Sequence, residues 1–293
     1  MRHNKKIKIA VFPIAGMGTR FLPITKTISK EMLNILDRPL LDYAVQEAKA
    51  AGIETFIFVT NKENTKPVDY FSKNTKLESF LKKKKKIDLL NEIKKLNIKK
   101  KNMKIIFQDK PAGLADAILR TEKYIKKEDF CVILPDDLII GSNCTQELIN
   151  VYNKKKSTVI GVMEVDKKDV SSYGIIESSI FKKNIYKIEN MIEKPKVKDA
   201  PSNIAIVGRY ILLNDIYKFI KKTKIGSGGE LQITDAIFLS SKINEVWGYK
   251  FSGKRYDCGN KIGFLKAQIA TAFKDKDIKK EIKKFIKSLG GQL

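Results

Sequence analysis

The sequence predicts an α/β protein built on a mostly parallel sheet with helices on both faces. Three observations carry that prediction. Short, almost wholly apolar runs alternate with helically periodic stretches from Ile7 to Val165, and strands covered on both faces read as continuous apolar runs. Two of these runs lead straight into polar turns, Gly16–Arg20 and Asp136-Asp137, and open α/β sheets bind ligands beyond the carboxyl ends of their strands. Of the 293 residues 43% are hydrophobic, and no apolar run is long enough to cross a bilayer, which is a globular composition.

Each element has its own signal. The basic start Met1–Lys8 runs into apolar Ile7–Pro13 and then a glycine turn, which reads as a first strand and not a secretory signal. Leu40, Leu41, Ala44, Val45 and Ala48 recur at helical spacing, with Pro39 set for a first helical position and Gly52 as a stop. Thr55–Thr60 is a β-branched and aromatic strand, and the Lys-rich segment 73–101 a helical surface insertion. Then follow a strand at Met103–Phe107, a helix at Gly113–Tyr124, a strand at Phe130–Leu134, a helix at Thr145–Lys155 and a strand at Thr158–Val165. From Tyr173 to Leu213 shorter strands dominate, an inserted β-rich portion. Helices return at Asp215–Lys222, Glu230–Ser241 and Asn260–Phe273. Residues 1–273 form one domain with no repeat or linker, followed by an amphipathic Lys-rich tail, 274–293. The tail's apolar stripe, Ile278, Ile282, Phe285, Ile286 and Leu289, packs on its own domain or on a second subunit.

Composition excludes several chemistries. The only histidine is His3, so Ser-His-Asp and Cys-His nucleophile systems and His-ligated zinc are excluded. Any metal must be a hard cation held by carboxylates and substrate oxygens. Three irregularly spaced cysteines indicate neither a disulfide framework nor a zinc site and fit a reducing cytoplasm. The net charge is +25, yet only six of 58 basic residues are Arg, whereas nucleic-acid readers lean on the bidentate guanidinium. Segment 73–104 has 13 Lys against three acids. It reads as a solvated face, with neither nucleic acid nor membrane as partner.

Three motifs carry chemistry. In Ala15-Gly16-Met17-Gly18-Thr19-Arg20 the glycines let backbone N–H groups approach phosphate oxygens. Phe21 stands where a dinucleotide fingerprint needs its third glycine, and no Gly-Lys-Ser/Thr follows, so neither a Rossmann redox site nor a phosphate-loop NTPase is indicated. Ser29-Lys30-Glu31-Met32 adds a cation that, with Arg20, reaches a triphosphate, although a Lys-Glu pair on a surface turn is common in itself. Leu134-Pro135-Asp136-Asp137 puts a carboxylate at a strand's end, suited to Mg²⁺ or to a plain turn.

In order along the chain, AGMGTRFLP (15–23), SKEML (29–33), QDKPAGLADAI (108–118), LPDD (134–137), YGII (173–176), EKPK (193–196), APSNIAIVGRY (200–210), GGELQITDAI (228–237) and YDCGNKIG (256–263) resemble the bacterial UTP–glucose-1-phosphate uridylyltransferases, within the sugar nucleotidyltransferase superfamily. The resemblance spans about residues 7–270. It implies a Rossmann-like mixed sheet of the nucleotide-diphospho-sugar transferase type, with the β-rich portion binding sugar. It implies that Ala15, Gly16, Gly18, Thr19 and Arg20 hold the nucleotide phosphates with Lys30 near the α-phosphate, and that Gln108 and Gly113 read the uracil edge. The resemblance also implies that Asp136 carries Mg²⁺, with Asp257 as a candidate second ligand. By the same resemblance Tyr173, Gly174, Glu193 and Asn203 are expected to hold the glucose 1-phosphate, with Lys194 on its phosphate. The implied partners are UTP and glucose 1-phosphate, in a homo-oligomer (dimer or tetramer).

The chain departs from that pattern at three positions. Ser29 stands where the family has Pro, and Ala115 and Asp116 replace Gly and His of Gly-Leu-Gly-His-Ala-Val. Ala115 adds a methyl, and Asp116 a negative charge, where the base is expected. The alternatives are a pyrophosphorylase for dTTP, ATP or another sugar phosphate, and an inactive basic nucleic-acid-binding relative. SNIAIVGRY and DCGNK favour the glucose-uridylyl type.

Overall fold

The computed structural model describes residues 6–226 and 229–289. His3, and Gly228 of the GGELQITDAI segment, lie outside the described residues.

The chain opens with β1 (Ile9–Pro13), a short antiparallel pair β2 (Asn34–Ile35) and β3 (Arg38–Pro39), helix α1 (Leu40–Ala50) and β4 (Thr55–Thr60). Pro39 caps α1 from just outside, in extended conformation. The Lys-rich segment is helical: after α2 (Lys66–Asp69) come α3 (Thr75–Lys83) and α4 (Ile87–Leu96), leading into β5 (Met103–Phe107). The helix expected over 113–124 is two, α5 (Leu114–Leu119) and α6 (Glu122–Ile125). Thr121 breaks it: its hydroxyl donates to the Ile118 carbonyl at 2.6 Å and pairs with the Tyr217 hydroxyl, so a side chain competes with the helical ladder. Next come β6 (Phe130–Ile133), β7 (Asp137–Ile140), α7 (Cys144–Lys155) and β8 (Thr158–Glu164).

The β-rich portion holds not short strands but three of nine residues each: β9 (Gly174–Lys182), β10 (Ile185–Glu193) and β11 (Ile204–Leu212). The chain ends with α8 (Ile216–Ile220), α9 (Ile233–Ser241), β12 (Val246–Lys250), β13 (Lys254–Asp257), α10 (Lys261–Ala272) and α11 (Lys276–Leu289).

Among the described residues nine strands form one mixed sheet in the order β5-β4-β1-β6-β11-β8-β12-β10-β9. The first four are parallel; β11 then enters antiparallel to both β6 and β8. The β-rich portion therefore continues the main sheet. Burial explains the apolar runs. Ala10 and Phe12 of β1, with Phe56 and Phe58 of β4, face a core under α1 and α7, where Phe12, Phe58 and Phe71 stack. Ile9 and Val11, with Ile57 and Val59, face a second core with residues of α5, α8 and α9. Alternate side chains thus enter different cores, so no polar position is left along the strand.

A separate antiparallel pair, β7 with β13, sets Asp257 opposite Asp137. No residue of α11 is buried, and Phe285 is 61% exposed. Most of the tail's apolar stripe is therefore exposed, and Ile282 is half-buried.

Candidate active site

The three motifs meet at the carboxyl edge of the parallel strands. Three adjacent strand ends are tied by backbone bonds, Ile14 N–H to Val59 O at 2.7 Å and Gln108 N–H to Thr60 O at 2.8 Å. This sets the loop after β1 beside the segment after β5. In the loop Ala15 is buried, whereas Gly16, Thr19 and Arg20 are exposed. A methyl on Gly16 would meet nothing within 4 Å, so folding alone does not demand glycine there. Gly18 is different. It has φ +63°, and a methyl would come within 3.2 Å of both Thr25 and Lys30 side chains. Gly18 is thus what lets Lys30 sit against the loop.

Lys30 is the hub. Its ammonium lies 2.7 Å from Asp136 Oδ2 and 3.8 Å from Glu31 Oε1. Burial would lower its pKa, but the Asp136 and Glu31 carboxylates outweigh that and raise it above the ordinary lysine range. Burial likewise works to raise the Asp136 pKa, and the Lys30 ammonium, with Arg255 further off, holds it below the usual carboxylate range. Glu31 is not the surface charge that the Lys-Glu pair suggested. It is buried, Oε2 has no hydrogen-bond partner, and burial pushes its pKa up to about 7.

Asp257 joins this cluster through Gly259. A methyl on Gly259 would stand 2.9 Å from Asp257 Oδ1, 3.3 Å from Asp136 Oδ2 and 3.8 Å from Arg20 Nη1. Two carboxylates and a guanidinium therefore border one small space. Among the described residues no group of three or more His, Cys, Asp or Glu side chains is arranged to hold a metal. Asp136 and Asp257 offer two hard oxygen ligands, which fits Mg²⁺, a cation that takes its remaining ligands from phosphates and water.

Asp137, next in sequence, is sealed in. Its Oδ1 accepts from Arg255 Nε at 2.5 Å and its Oδ2 from the Gly208 N–H at 2.6 Å. The Asp136 turn is also clamped from below. Buried Arg209 donates to the Leu134 and Asp137 carbonyls at 2.9 and 2.8 Å and pairs with Glu47, whose carboxylate further accepts from the Thr145 N–H and hydroxyl.

Tyr173, Gly174, Glu193 and Lys194 form a second group. Glu193 pairs with Gly174 across the β9–β10 ladder, and a methyl on Gly174 would stand 3.0 Å from Glu193 Oε2. Lys194, 3.6 Å from Glu193, has φ +48°, a conformation that costs a non-glycine residue energy and clusters at functional sites. Arg255 bridges the two groups. It donates to the Tyr173 hydroxyl at 3.0 Å and lies 3.6 Å from Asp257. Asn203 stands apart: its exposed amide donates to the Val165 carbonyl.

A third group follows β5. Gln108 is buried, and its amide donates to Asp116 at 2.7 Å and to the Gly113 carbonyl at 3.2 Å. Gly113 has φ +99°, and a methyl would stand 2.5 Å from the Leu231 carbonyl, so its size also serves contact with the segment before α9. The methyl of Ala115 belongs to the core, where it is wholly buried, rather than to open space beside a base. Nor is the Asp116 charge uncompensated, since Arg120 Nε lies 2.8 Å away.

Arg255, Arg209, Arg120, Asp137, Glu47 and Glu31 are residues of this edge without an assignment from sequence. Arg209 did carry a signal, an arginine within the apolar run Ile204–Leu212.

Residues 10–273 match the nucleotidyl transferase family, and the chain belongs to that family. It is 42% identical to UTP–glucose-1-phosphate uridylyltransferase 1 of Staphylococcus saprophyticus over 285 residues, 97% of this chain and 99% of that one. A UTP–glucose-1-phosphate uridylyltransferase of Staphylococcus epidermidis is 41% identical over the same share of both. Among solved structures, a UDP-glucose pyrophosphorylase complexed with UDP-glucose superimposes with TM-score 0.82 at 40% identity, covering 92% of this chain and all of the other. The UTP-bound enzyme from Acinetobacter baumannii gives 0.88 at 37%, covering 97% and 99%.

Proposed function

We infer that the protein transfers the uridylyl group of UTP to α-D-glucose 1-phosphate, giving UDP-glucose and pyrophosphate. The observation that carries this is the convergence of Arg20, Lys30, Asp136 and Asp257 beside the glycine loop, in a chain similar along nearly its whole length to enzymes of that name.

In this reading Ala15, Gly16, Gly18 and Thr19 hold the nucleotide phosphates through the loop, and the open space at Gly16 admits them. Gln108 and Gly113 read the base. Glu193 accepts from sugar hydroxyls, Tyr173 and Gly174 flank the sugar, Lys194 faces its phosphate and Asn203 borders that side. The sugar-phosphate oxygen attacks the α-phosphorus in line, one P–O bond forms, and the bond to the leaving pyrophosphate breaks. Arg20 and Lys30 neutralise the charge that grows on the leaving group. The partners of Lys30 keep it cationic, as this role demands. No protein nucleophile takes part, so positioning and charge neutralisation supply the rate.

Asp136 and Asp257 would hold Mg²⁺, which when bound neutralises phosphate charge. The protein in this reading is a cytoplasmic homo-oligomer, dimer or tetramer. Its three cysteines are free and buried, and the exposed apolar side chains of α11 leave a surface for a second copy. Light scattering after size exclusion measures the assembly.

The test is pyrophosphate release with and without Mg²⁺, crossing UTP, dTTP, ATP and GTP against glucose, galactose, mannose and N-acetylglucosamine 1-phosphates. UTP with glucose 1-phosphate is the expected best pair; a better pair overturns the substrate assignment, and full activity with excess chelator overturns the metal.

A further inference from the structure

The group around Gln108 holds more information than its place beside the base. Both amide hydrogens of Gln108 are committed, one to Asp116 Oδ2 at 2.7 Å and one to the Gly113 carbonyl at 3.2 Å. A carbonyl can only accept, and so can a carboxylate paired with arginine. The end of the amide that faces them must therefore be the NH₂ group. The reverse orientation would set three acceptor oxygens against one another in a buried place, each short of a donor.

Arg120 fixes the carboxylate in turn. Its Nε lies 2.8 Å from Asp116 Oδ2, one helical turn away, while its Nη1 donates to the Phe107 carbonyl at the end of β5. The Gln108 backbone is anchored by its N–H to Thr60 O. What remains of the side chain is Oε1, which receives no hydrogen bond from any described residue and is not among the sealed, unpartnered atoms. Gln108 thus presents one open function, and it is an acceptor.

We propose that Asp116, braced by Arg120, is a positioning residue that holds the Gln108 carbonyl oxygen toward the base and so selects a pyrimidine that carries a proton on N3. Uracil and thymine present N3–H there, whereas cytosine presents a bare nitrogen, an acceptor that would meet Oε1 with no hydrogen between them. A site built to bond a donor rejects an analogue lacking it, because a nearly buried polar group is left unpaired. Histidine at position 116, as in the family pattern, can donate or accept and would allow either amide orientation. Aspartate allows one. The proposal rests on the reading that Gln108 faces the base, and the experiment separates the two.

The measurement is kcat/KM for UTP and for CTP, each with glucose 1-phosphate, on the full chain. Asp116→Leu keeps the bulk but removes the acceptor that Gln108 and Arg120 share, leaving only the longer bond to the Gly113 carbonyl to orient the amide. The UTP/CTP ratio is expected to fall at least about 10-fold, the scale of one buried hydrogen bond misplaced, with kcat for UTP less affected than KM. Asp116→Glu, which stays acceptor-only, is expected to recover part of the ratio. Arg120→Gln, which frees the carboxylate without touching Gln108, is expected to lower the ratio as well, and serves if Asp116→Leu does not fold. A folded Asp116→Leu or Arg120→Gln protein with an unchanged ratio overturns the proposal. If Gln108→Leu also leaves the ratio unchanged, Gln108 does not read the base and the parent reading of this subsite falls instead.

Discussion

Arg209→Met removes the clamp beneath the Asp136 turn, and its cost can be worked from the structure. Arg209 is 2% exposed and the side chain of its partner Glu47 10%. The substitution strips donors from the Leu134 and Asp137 carbonyls and leaves the Glu47 carboxylate sealed in with only the Thr145 N–H and hydroxyl. Removing one member of a buried ion pair costs about 3–5 kcal/mol, against about 5–15 kcal/mol for a whole domain. The pH dependence makes the test specific. In the native protein burial works to raise the Glu47 pKa, but Arg209 and the Thr145 bonds outweigh it and hold it low. The pair's stability is then present above the ordinary carboxylate range and lost only as pH falls through that lowered value. In Arg209→Met only the Thr145 bonds still oppose burial, the pKa rises, and the variant loses stability as pH increases. Urea unfolding followed through the only tryptophan, buried Trp247, is expected to give a loss of about 4 kcal/mol at pH 8 and a smaller one at pH 5. A loss below about 1 kcal/mol, or the same loss at both pH values, refutes the clamp.

Other outcomes follow from the same contacts. Asp136→Asn keeps the shape but removes the charge beside Lys30, and turnover is expected to fall at least about 100-fold; near-native turnover excludes Asp136 from the metal site. For Glu31→Gln the sign comes from a raised pKa. The buried carboxyl, lifted from 4.5 to about 7, contributes stability below its unfolded pKa that disappears as pH rises through 7, at most about 3 kcal/mol. Glu31→Gln should therefore gain in melting temperature relative to the native protein between pH 5 and pH 8, and a constant difference contradicts this. Glu193→Gln and Lys194→Ala should raise KM for glucose 1-phosphate about 10-fold or more while leaving that for UTP nearly unchanged; normal sugar-phosphate kinetics in both sinks the assignment.

How much of this was legible depended on what each residue packs against. Strands β1, β4 and β5 were legible because the first two alternate between two apolar cores and β5 lies beside them, so their sequences show almost nothing but apolar residues. The break at Thr121 was hidden, since a threonine inside a helical pattern ends it only when its hydroxyl finds the ladder. The β7–β13 pair was hidden too. Asp137–Ile140 and Lys254–Asp257 share no alternation, yet their register is what draws Asp257 toward Asp136. Ala115 was misread because substitution in a motif says nothing of which way a methyl points. Asp116 was half legible: Arg120 four residues on is a standard helical ion pair, and its consequence for Gln108 appears only once the strand β5 sets the amide beside it.

The arginines connect these points. Their scarcity beside 52 lysines first argued against base-specific nucleic-acid contacts. In the fold they have another distribution. Of the five arginines among the described residues, four pair with a carboxylate: Arg38 with Asp42, Arg120 with Asp116, Arg209 with Glu47 and Arg255 with Asp137. Three of those pairs frame the candidate site, one behind Gln108, one beneath the Asp136 turn and one between Asp257 and Tyr173. Lysine spreads over the surface, where a hydrated point charge on a flexible stem costs little. Arginine is kept where a planar fork must bond a carboxylate and backbone oxygens at once. Arg209 spans Glu47, Leu134 O, Gly208 O and Asp137 O with one guanidinium, and an ammonium of the same charge has too few donors in fixed directions to do so. An Arg→Lys exchange at 209 therefore keeps the electrostatics and loses the geometry, and it is the geometry that sets Asp136 in place.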